Sequence, residues 1–449
     1  MEQLKEAATP HERSLSGYCD NLPFRDVMTK SSRYRDTLNK WRTVSLIVID
    51  PSQLTTSQPM LQFAEFFAGI GLVRQGLEQV GWQCAFANDI DEVKAKIYSK
   101  NFGNAYLLID DISNLNASNI PDVMLVTASF PCQDLSLAGN RKGLTGDRSS
   151  TFFEFIRILN ELASQKRLPQ AVLIENVTGL LSSGEGKDIR EVLLSLNKLG
   201  YSCDVLVINA VYFLPQSRAR VFIIGLNSPK FATETELQAN NNNVSFQHPC
   251  RPIAIQKVID ANSDLSWNFL KFSPLPIRKT VLADFLEINE HQEWFNDRVL
   301  AREFSYIRDN SKHRLEKAKQ LARTTGTPVY LTAYRRMRKG KVCLELRDDG
   351  IAGCLRTGSG GSSRQILLVV SPDKIKMRYM TAREYGRLQG VEDSFWIPEN
   401  QSIGRYAFGD AVAVPVVAWI GHEIKRYLVV NSQRQVLLNQ VTEIAVVSG

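Results

Sequence analysis

The 449-residue sequence lacks the features that would place it in several large classes of protein. Its seven cysteines are an odd number and never form a Cys-x-x-Cys pair, so we expect neither a disulfide framework nor a metal site. No run reaches the roughly 18 apolar residues that a membrane-spanning helix requires, and the charged N-terminal stretch is unlike a secretory signal. These absences favour a soluble cytoplasmic protein.

Charge is distributed unevenly along the chain. The net charge is +7, but residues 298–342 alone contain thirteen Lys or Arg and three acidic residues, a local net charge of +10. The rest of the chain therefore sums to −3. A basic surplus confined to one stretch predicts an acidic polymer as a partner of that stretch.

Residues 61–226 alternate short apolar stretches with longer helix-like stretches. This rhythm predicts an α/β fold, a doubly wound and mostly parallel sheet covered on both faces. The length allows two or three domains at roughly 100–200 residues each. We expect four segments: an N-terminal extension of unknown role (1–58), a catalytic and cofactor-binding domain (59–227), an irregular target-recognition domain (228–376) and a C-terminal return to the catalytic domain (377–449).

Polar residues follow the first three predicted strands. The first strand ends in the glycine turn FAGIG, the second at Asp89 and the third at Asp110 and Asp111. Because ligands of such sheets bind at the carboxyl ends of strands, these residues predict a pocket for a cofactor that contains a nucleoside. The glycine spacing is not G-x-G-x-x-G, which disfavours a nicotinamide cofactor. Either Asp alone could equally be a solvated loop carboxylate.

Candidate reactive residues follow the later strands. Cys132 lies in SFPCQ directly after the fourth strand, and Glu175 closes the apolar fifth strand. A thiolate is a nucleophile, and a partly desolvated acid suits proton donation to a ring nitrogen. Arg218 and Arg220 are two positions apart and therefore share one face of an extended chain. A buried structural cysteine, a helix-capping acid and a surface arginine pair remain the simpler alternatives.

The ordered motifs FAGIG, NDID, SFPCQ, ENV, QSRAR, RLQG and GDAV resemble those of the bacterial DNA (cytosine-5)-methyltransferases of restriction–modification systems. The resemblance covers about residues 61–226 and 377–425. It implies an S-adenosylmethionine-dependent methyltransferase fold, methyl transfer to cytosine in double-stranded DNA, S-adenosylhomocysteine as product and no metal. It also implies base flipping, and either protection of host DNA beside a restriction endonuclease or solitary marking of DNA; we expect a monomer.

The resemblance also implies roles for individual residues. Cys132 would attack cytosine C6, Glu175 would bind N3 and the exocyclic amine, and Arg220 would contact O2 while Arg218 supports the loop. The implied cofactor-binding residues are Phe67, Gly69, Ile70, Gly71, Asp89, Ile90, Asp111, Ile112, Pro131, Asp410 and Ala411. Two positions depart from the family pattern: GDAV stands where many members have GNSV, which changes the contact at Asp410, and Asp89 stands where Glu is common.

The basic middle region is the predicted DNA-binding surface. Arginine can pair bidentately with guanine, so the candidate base-reading residues are Arg335, Arg336, Arg338, Arg356 and Arg364. Three alternatives remain open. An RNA cytosine methyltransferase would use the same catalytic residues, although the basic region favours duplex DNA. A nicotinamide oxidoreductase is opposed by the glycine spacing, and an inactive DNA-binding or scaffold protein by the intact Cys132, Glu175 and Arg220.

Overall fold

A computed structural model describes residues 61–130, 151–227, 248–289, 292–356 and 364–447, with side chains up to residue 430. The predicted N-terminal extension, Pro131 and Cys132 lie outside the described residues. From residue 61 onward the described residues belong to one compact unit. The division of this unit into domains stays a prediction.

The main sheet has seven strands. They are β1 (Gln62–Phe66), β2 (Gln83–Asp89), β3 (Leu107–Ile109), β4 (Leu125–Ala128), β5 (Ala171–Val177), β6 (Tyr201–Asn209) and β7 (Ala219–Asn227). Their order is β3-β2-β1-β4-β5-β7-β6, and every pairing is parallel except those of β7 with β5 and β6. This confirms the predicted α/β class with a mostly parallel sheet.

The reversed direction of β7 positions residues for the site described below. The connection 210–218 between β6 and β7 is too short for a parallel crossover, which takes about a dozen residues or more. β7 must therefore run antiparallel. Its first residues consequently lie at the edge where the parallel strands end.

Ten helices are described in this part of the chain. They are α1 (Leu72–Glu78), α2 (Glu92–Phe102), α3 (Thr151–Ser164), α4 (Lys187–Lys198), α5 (Ile253–Ala261), α6 (Asp297–Ser305), α7 (Asp309–Thr325), α8 (Ala382–Gln389), α9 (Gln401–Asp410) and α10 (Val414–Val447). Alternate residues of β1 enter two hydrophobic clusters, with Phe63 in one and Ala64 and Phe66 in the other. The first cluster includes α1 and α10, and the second includes α3 and α4. The sheet is thus covered on both faces.

Helices α1 and α10 approach closely because both have a glycine at their contact. A Cβ atom at Gly76 would lie 2.8 Å from the Val414 carbonyl oxygen, and one at Gly421 would lie 2.5 Å from Leu77 Cδ2. The Trp82 indole N–H also donates to the Gly421 carbonyl at 3.0 Å. Gly76 and Gly421 therefore allow the two helices to pack closely.

The middle region contains a second sheet, which corrects the prediction of an irregular domain. It is antiparallel, in the order β11-β10-β8-β9, and its strands are β8 (Val329–Arg338), β9 (Lys341–Arg347), β10 (Ile366–Val370) and β11 (Ile375–Tyr379). Alternate residues of β10 enter two cores: Ile366 and Leu368 pack under α7, while Leu367 and Val369 join the core of the main sheet. Period-two burial on both faces makes β10 apolar throughout and ties the two sheets together.

One described stretch, Gln401–Val430, is long and apolar enough to pass a length-and-hydropathy test for a membrane span. Its most apolar window is 56% buried inside the protein. Val417, Ile420 and Ile424 of this stretch belong to the core cluster that contains α1. Since core helices pass the same test, the apolar character of this stretch is accounted for by packing.

Candidate active site

The glycine turn after β1 leaves an open space at the sheet edge. Phe67 and Gly69 both have positive φ values, +58° and +56°. Left-handed backbone at a non-glycine residue such as Phe67 is strained, and such strain clusters at functional sites. A Cβ atom at Gly69 would meet nothing within 4 Å, so the backbone is accessible to a ligand there. Ile70 is buried below the turn, and Gly71 lies against the Phe102 ring.

Asp89 is bound directly to this turn. Its Oδ2 accepts a hydrogen bond from the Gly69 N–H at 2.6 Å, and its Oδ1 accepts one from the Asp91 N–H at 2.8 Å. Burial raises the pKa of Asp89, and these two backbone donors oppose that rise. The structure thus brings two predicted residues, Gly69 and Asp89, into contact at the ends of β1 and β2.

The end of β3 continues this edge. Asp111 caps a short 3-10 turn by accepting from the Ser113 N–H at 2.9 Å, which lowers its pKa. The Asp110 N–H donates to the Asp89 carbonyl at 3.2 Å. Ile112 is buried, whereas the Ile90 side chain is 64% exposed. The Asp89 carboxylate, the open backbone turn at Gly69 and the exposed Ile90 side chain therefore lie next to one another.

Glu65 is a buried acid that the sequence analysis missed. It is 1% exposed, and no described residue donates a well-formed hydrogen bond to either carboxyl oxygen. Burial raises its pKa to about 8, and Arg74 of α1 opposes the rise through its charge and backbone N–H. Asp89 and Glu78 add to the rise. Only an acid inside an otherwise apolar strand signalled this residue in the sequence.

Replacing Glu65 with glutamine should stabilise the cofactor-free protein at pH 8 and have little effect near pH 5. The unfolded carboxyl ionises near its ordinary pKa of 4.5, whereas the folded one keeps its proton up to about 8. Stability is therefore lost as the pH rises through this interval, and glutamine removes the loss, by up to about 4–5 kcal/mol. Urea unfolding at both pH values measures the difference. The exposed Glu92 on α2 is the matched control, and an equal effect of Glu92→Gln would contradict the assignment.

Glu175 and Arg220 form an ion pair at the same sheet edge. Arg220 Nε lies 3.0 Å from Glu175 Oε1, and the two side chains are 16% and 11% exposed. In the antiparallel register Arg220 faces Val177 and Glu175 faces Phe222, so the pair are diagonal neighbours on one face. Burial raises the pKa of Glu175, while Arg220, Arg218 and a hydrogen bond with Ser129 oppose the rise.

Arg218 has a different surrounding from Arg220. It is 2% exposed and donates to the carbonyl oxygens of Leu355 at 2.8 Å, Gly409 at 3.2 Å and Asp410 at 3.3 Å. It therefore joins the start of β7 to the middle region and to the C-terminal segment. These contacts are compatible with the supporting role that the resemblance implies, which stays a prediction.

The chain that leads to Cys132 leaves β4 beside Glu175. Ser129 and Phe130 are the last described residues before the gap. Ser129 hydrogen-bonds Glu175, and the Phe130 carbonyl accepts from Asn176 Nδ2 at 3.4 Å. Cys132 follows two positions after Phe130 and lies outside the described residues, so its role as nucleophile stays a prediction.

The predicted cofactor contact Asp410 makes an ion pair with Lys94 of α2. Lys94 Nζ lies 2.9 Å from Asp410 Oδ2. Burial lowers the pKa of Lys94, but the charge of Asp410 and its hydrogen bond raise it more. Nothing in the sequence motifs pointed to Lys94. Ala411, half-buried, follows at the end of α9.

Comparison with known proteins decides the family. Residues 61–426 match the family model described as C-5 cytosine-specific DNA methylase. The chain belongs to this family. It is a DNA (cytosine-5)-methyltransferase, as the sequence motifs predicted. The predicted family and enzyme class are thereby confirmed.

Relatives of this DNA methylase cover most of its length. It is 28% identical over 377 residues to the type II methyltransferase M.DsaV of Dactylococcopsis salina, covering 84% of this chain and 89% of that protein. It is 28% identical over 380 residues to M.HhaI of Haemophilus parahaemolyticus, covering 84% and 97%. Among solved structures, the Entamoeba histolytica methyltransferase EhMeth aligns with a TM-score of 0.54 at 19% identity, covering 83% and 99%. The S. pombe Dnmt2 methyltransferase aligns with 0.51 at 21%, covering 80% and 96%. These structures support the fold.

The predicted DNA-reading arginines of this methylase divide between two environments. Arg335 makes a two-pronged ion pair with Glu303 of α6, whose side chain is fully buried. Strand alternation in β8 turns Arg335 towards α6 and turns Arg336 and Arg338 to the other face, where both lie near Glu345. Arg335 is thus tied to a buried acid, and its role in reading DNA stays a prediction.

The other candidates remain predictions. Arg336 and Arg338 are 41% and 56% exposed, and Arg356 is exposed. Arg364 is half-buried, with its guanidinium 5.4 Å from the centre of the Tyr379 ring.

Proposed function

We propose that this DNA methylase transfers a methyl group from S-adenosylmethionine to C5 of a cytosine flipped out of a specific duplex sequence. Cys132 would form a transient bond with C6 of that cytosine. The observation that carries the proposal is the buried pair of Glu175 and Arg220, 3.0 Å apart, at the edge where β4 leads into SFPCQ. Two polar groups held in one buried place can recognise the polar edge of a base.

S-adenosylmethionine fits the residues at the ends of β1 to β3. The backbone at Gly69 is open, the Asp89 carboxylate can accept hydrogen bonds from a ribose, and exposed Ile90 offers an apolar surface to a purine ring. When bound, the cofactor supplies a methyl group on a sulfonium. The wider set inferred from the motifs, which includes Asp111, Ile112 and Ala411, stays part of this proposal.

The protein residues would act on the pyrimidine as follows. Cytosine C5 is a weak nucleophile, so electrons must first enter the ring. The Cys132 thiolate would form a bond to C6, moving the C5–C6 electron pair towards C4 and the C4–N3 pair onto N3, where Glu175 donates a proton. C5 then becomes an enamine carbon that can accept the methyl group. Loss of the C5 proton to solvent and of the thiolate then restores the C5–C6 double bond, and N3 returns its proton to Glu175, which completes the aromatic ring.

The environment of Glu175 suits proton donation to N3. Burial raises the pKa of Glu175 above its ordinary value, which favours the protonated carboxyl more than in an exposed Glu. The charge of Arg220 opposes this rise in the pKa of Glu175. Its guanidinium also offers N–H donors at the position where cytosine O2 is expected. Since C6 cannot be reached in a stacked duplex, the base must leave the helix, at a cost of a few kcal/mol.

Duplex DNA is the substrate that the basic middle region favours. The exposed residues Arg336 and Arg338 lie on the second sheet, and residues 298–342 carry a net charge of +10. Such a surface binds phosphates and loses affinity as salt rises. RNA is disfavoured as the alternative substrate by the match to a DNA methylase family.

Paired substitutions on β8 should separate DNA binding from stability. Arg336→Ala should weaken duplex binding and leave the melting temperature unchanged. The slope of log affinity against log salt concentration should fall by about one, because one fewer counterion is released on binding. Arg335→Ala should instead destabilise the protein by on the order of 3 kcal/mol, because it leaves buried Glu303 without its main partner. Fluorescence anisotropy against salt and thermal melts measure the two effects. Equal effects of both substitutions on DNA affinity, with equal melts, would contradict this division.

The proposed function is tested by incubating the protein with labelled S-adenosylmethionine and a library of duplexes, then mapping 5-methylcytosine by sequencing. We expect methyl groups at cytosines within one short sequence. Methylation of structured RNA but not of the duplexes would overturn the substrate. Methylation at the exocyclic N4 amine would overturn the proposed chemistry.

The cellular setting is part of the same proposal. The relatives M.DsaV and M.HhaI are named type II methyltransferases. We infer that this protein modifies host DNA as a cytoplasmic monomer, beside a restriction endonuclease of the same specificity. A strain that lacks this protein should then lose protection against that endonuclease at the mapped sequence.

A further inference from the structure

An ion pair joins two distant parts of the chain beside the proposed cofactor pocket. Lys94 lies in the first turn of α2, and Asp410 is the last residue of α9. Their Nζ and Oδ2 atoms are 2.9 Å apart although 316 positions separate the residues. Lys94 is 15% exposed and Asp410 is 49% exposed. The Lys94 ammonium also lies 5.4 Å from the centre of the Tyr406 ring, one turn before Asp410.

Lys94 is surrounded by carboxylates. Asp91 Oδ2 lies 3.9 Å from Lys94 Nζ, and the negative charge of Asp89 helps to raise the pKa of Lys94. Asp89 is the acid proposed to hold the ribose. If Lys94 were neutral, Asp89, Asp91 and Asp410 would repel one another across this edge, since like charges within a few ångströms disfavour each other. The ammonium therefore permits an acid at position 410.

Asp410 also contacts Arg218, the residue that directly precedes β7. Its carbonyl oxygen accepts from Arg218 Nη2 at 3.3 Å, and its charge acts on the pKa of Glu175. The turn at Asp410 and Ala411 thus lies between the cofactor side of the sheet edge and the base side. The contact to Lys94 fixes the side chain, and the contact to Arg218 fixes the backbone.

We propose that Lys94 and Asp410 act together as a cofactor-positioning pair, which holds the turn after α9 against α2 and neutralises the acid at position 410. The inference rests on the proposed function, because it takes Asp89 as the ribose-binding acid. Lys94 is a positioning residue here and need not touch the cofactor itself.

The test measures binding of S-adenosylhomocysteine to the protein without DNA, by isothermal titration calorimetry. Lys94→Met should weaken binding about tenfold, because it leaves Asp410 facing two other carboxylates. Asp410→Asn should weaken binding no more than about threefold, because an amide oxygen still accepts from Lys94. The double variant K94M/D410N should bind better than Lys94→Met alone, since the repulsion is removed with the ammonium. Such recovery is the non-additive result expected of contacting residues.

One control variant and two further measurements distinguish the possible outcomes. Lys257→Met removes an exposed lysine of α5 that lies outside the basic stretch 298–342, and it should leave binding unchanged. Thermal melts show whether a variant is merely unfolded. In steady-state assays the KM for S-adenosylmethionine should rise in Lys94→Met while kcat changes little.

Two results would overturn the inference. A double variant that binds as weakly as Lys94→Met would show that Lys94 contacts the cofactor directly. Unchanged binding in all three variants would show that the pair has no part in cofactor binding. If the wild-type protein itself bound no S-adenosylhomocysteine, the proposed cofactor site would fail instead, which keeps the two failures distinguishable.

Discussion

Replacement of Cys132 with alanine is expected to abolish methyl transfer, lowering the rate by at least about a thousandfold while DNA and cofactor still bind. Removing a nucleophile typically costs this much or more, because no other group can form the covalent bond. Transfer of labelled methyl groups to a duplex that contains the mapped sequence measures the rate. Anisotropy with the same duplex and calorimetry with S-adenosylhomocysteine show whether binding survives.

A substrate analogue distinguishes the covalent step from a merely structural role of Cys132. With 5-fluorocytosine at the target position, C5 carries no proton that can be removed, so the bond from sulfur to C6 should persist after methyl transfer. The wild-type protein should then migrate with the oligonucleotide on a denaturing gel, and Cys132→Ala should not. A wild-type protein that methylated normal DNA but formed no such complex would contradict covalent catalysis by this thiol.

Replacement of Glu175 with glutamine is expected to lower kcat by roughly 10²–10⁴, the range for loss of a general acid. Glutamine has nearly the same shape, but it cannot transfer a proton to N3 and cannot form the ion pair with Arg220. DNA affinity should change far less than kcat, because the lost proton transfer matters only once the ring is attacked. Single-turnover methylation with saturating duplex measures the chemical step.

The matched control for Glu175 is Glu185, an exposed acid that follows the same strand. Glu185→Gln should leave both kcat and DNA affinity close to wild type. A near-normal rate in Glu175→Gln would remove the acid from the proposed mechanism. A loss of DNA binding equal to the loss in kcat would instead assign Glu175 to recognition.

The strand ends could be predicted because they follow from local rules. The apolar run that Glu175 closes predicts a strand, and β5 forms there over Ala171–Val177, since an apolar run bounded by turn residues has few alternatives. Asp89 and Glu175 follow apolar strands that run in parallel, so they had to reach the same edge of the sheet. Gly69 and Asp89 were assigned to one pocket on this ground, and they are hydrogen-bonded to each other.

Other contacts could not be predicted because they join residues with no regular spacing. Lys94 and Asp410 meet only when α9 returns to α2, and Arg335 meets Glu303 only when α6 packs on β8. Each pair forms only if the helix or strand that carries it presents that side chain to its packing neighbour. Arg335 and Arg336 are identical residues in adjacent positions, yet one is tied to a buried acid and the other is exposed enough to meet DNA.

The amino-acid sequence alone determined the α/β class and the family, since periodic burial and ordered motifs can be recognised along the chain. Tertiary structure alone decided that β7 lies between β5 and β6, which brings Arg220 to Glu175, and that Glu65 is enclosed without a good hydrogen-bond donor. The physical reason is that ion pairs, hydrogen bonds and the pKa of a buried group depend on distances through space. Those distances exist only once segments far apart in the chain have packed together.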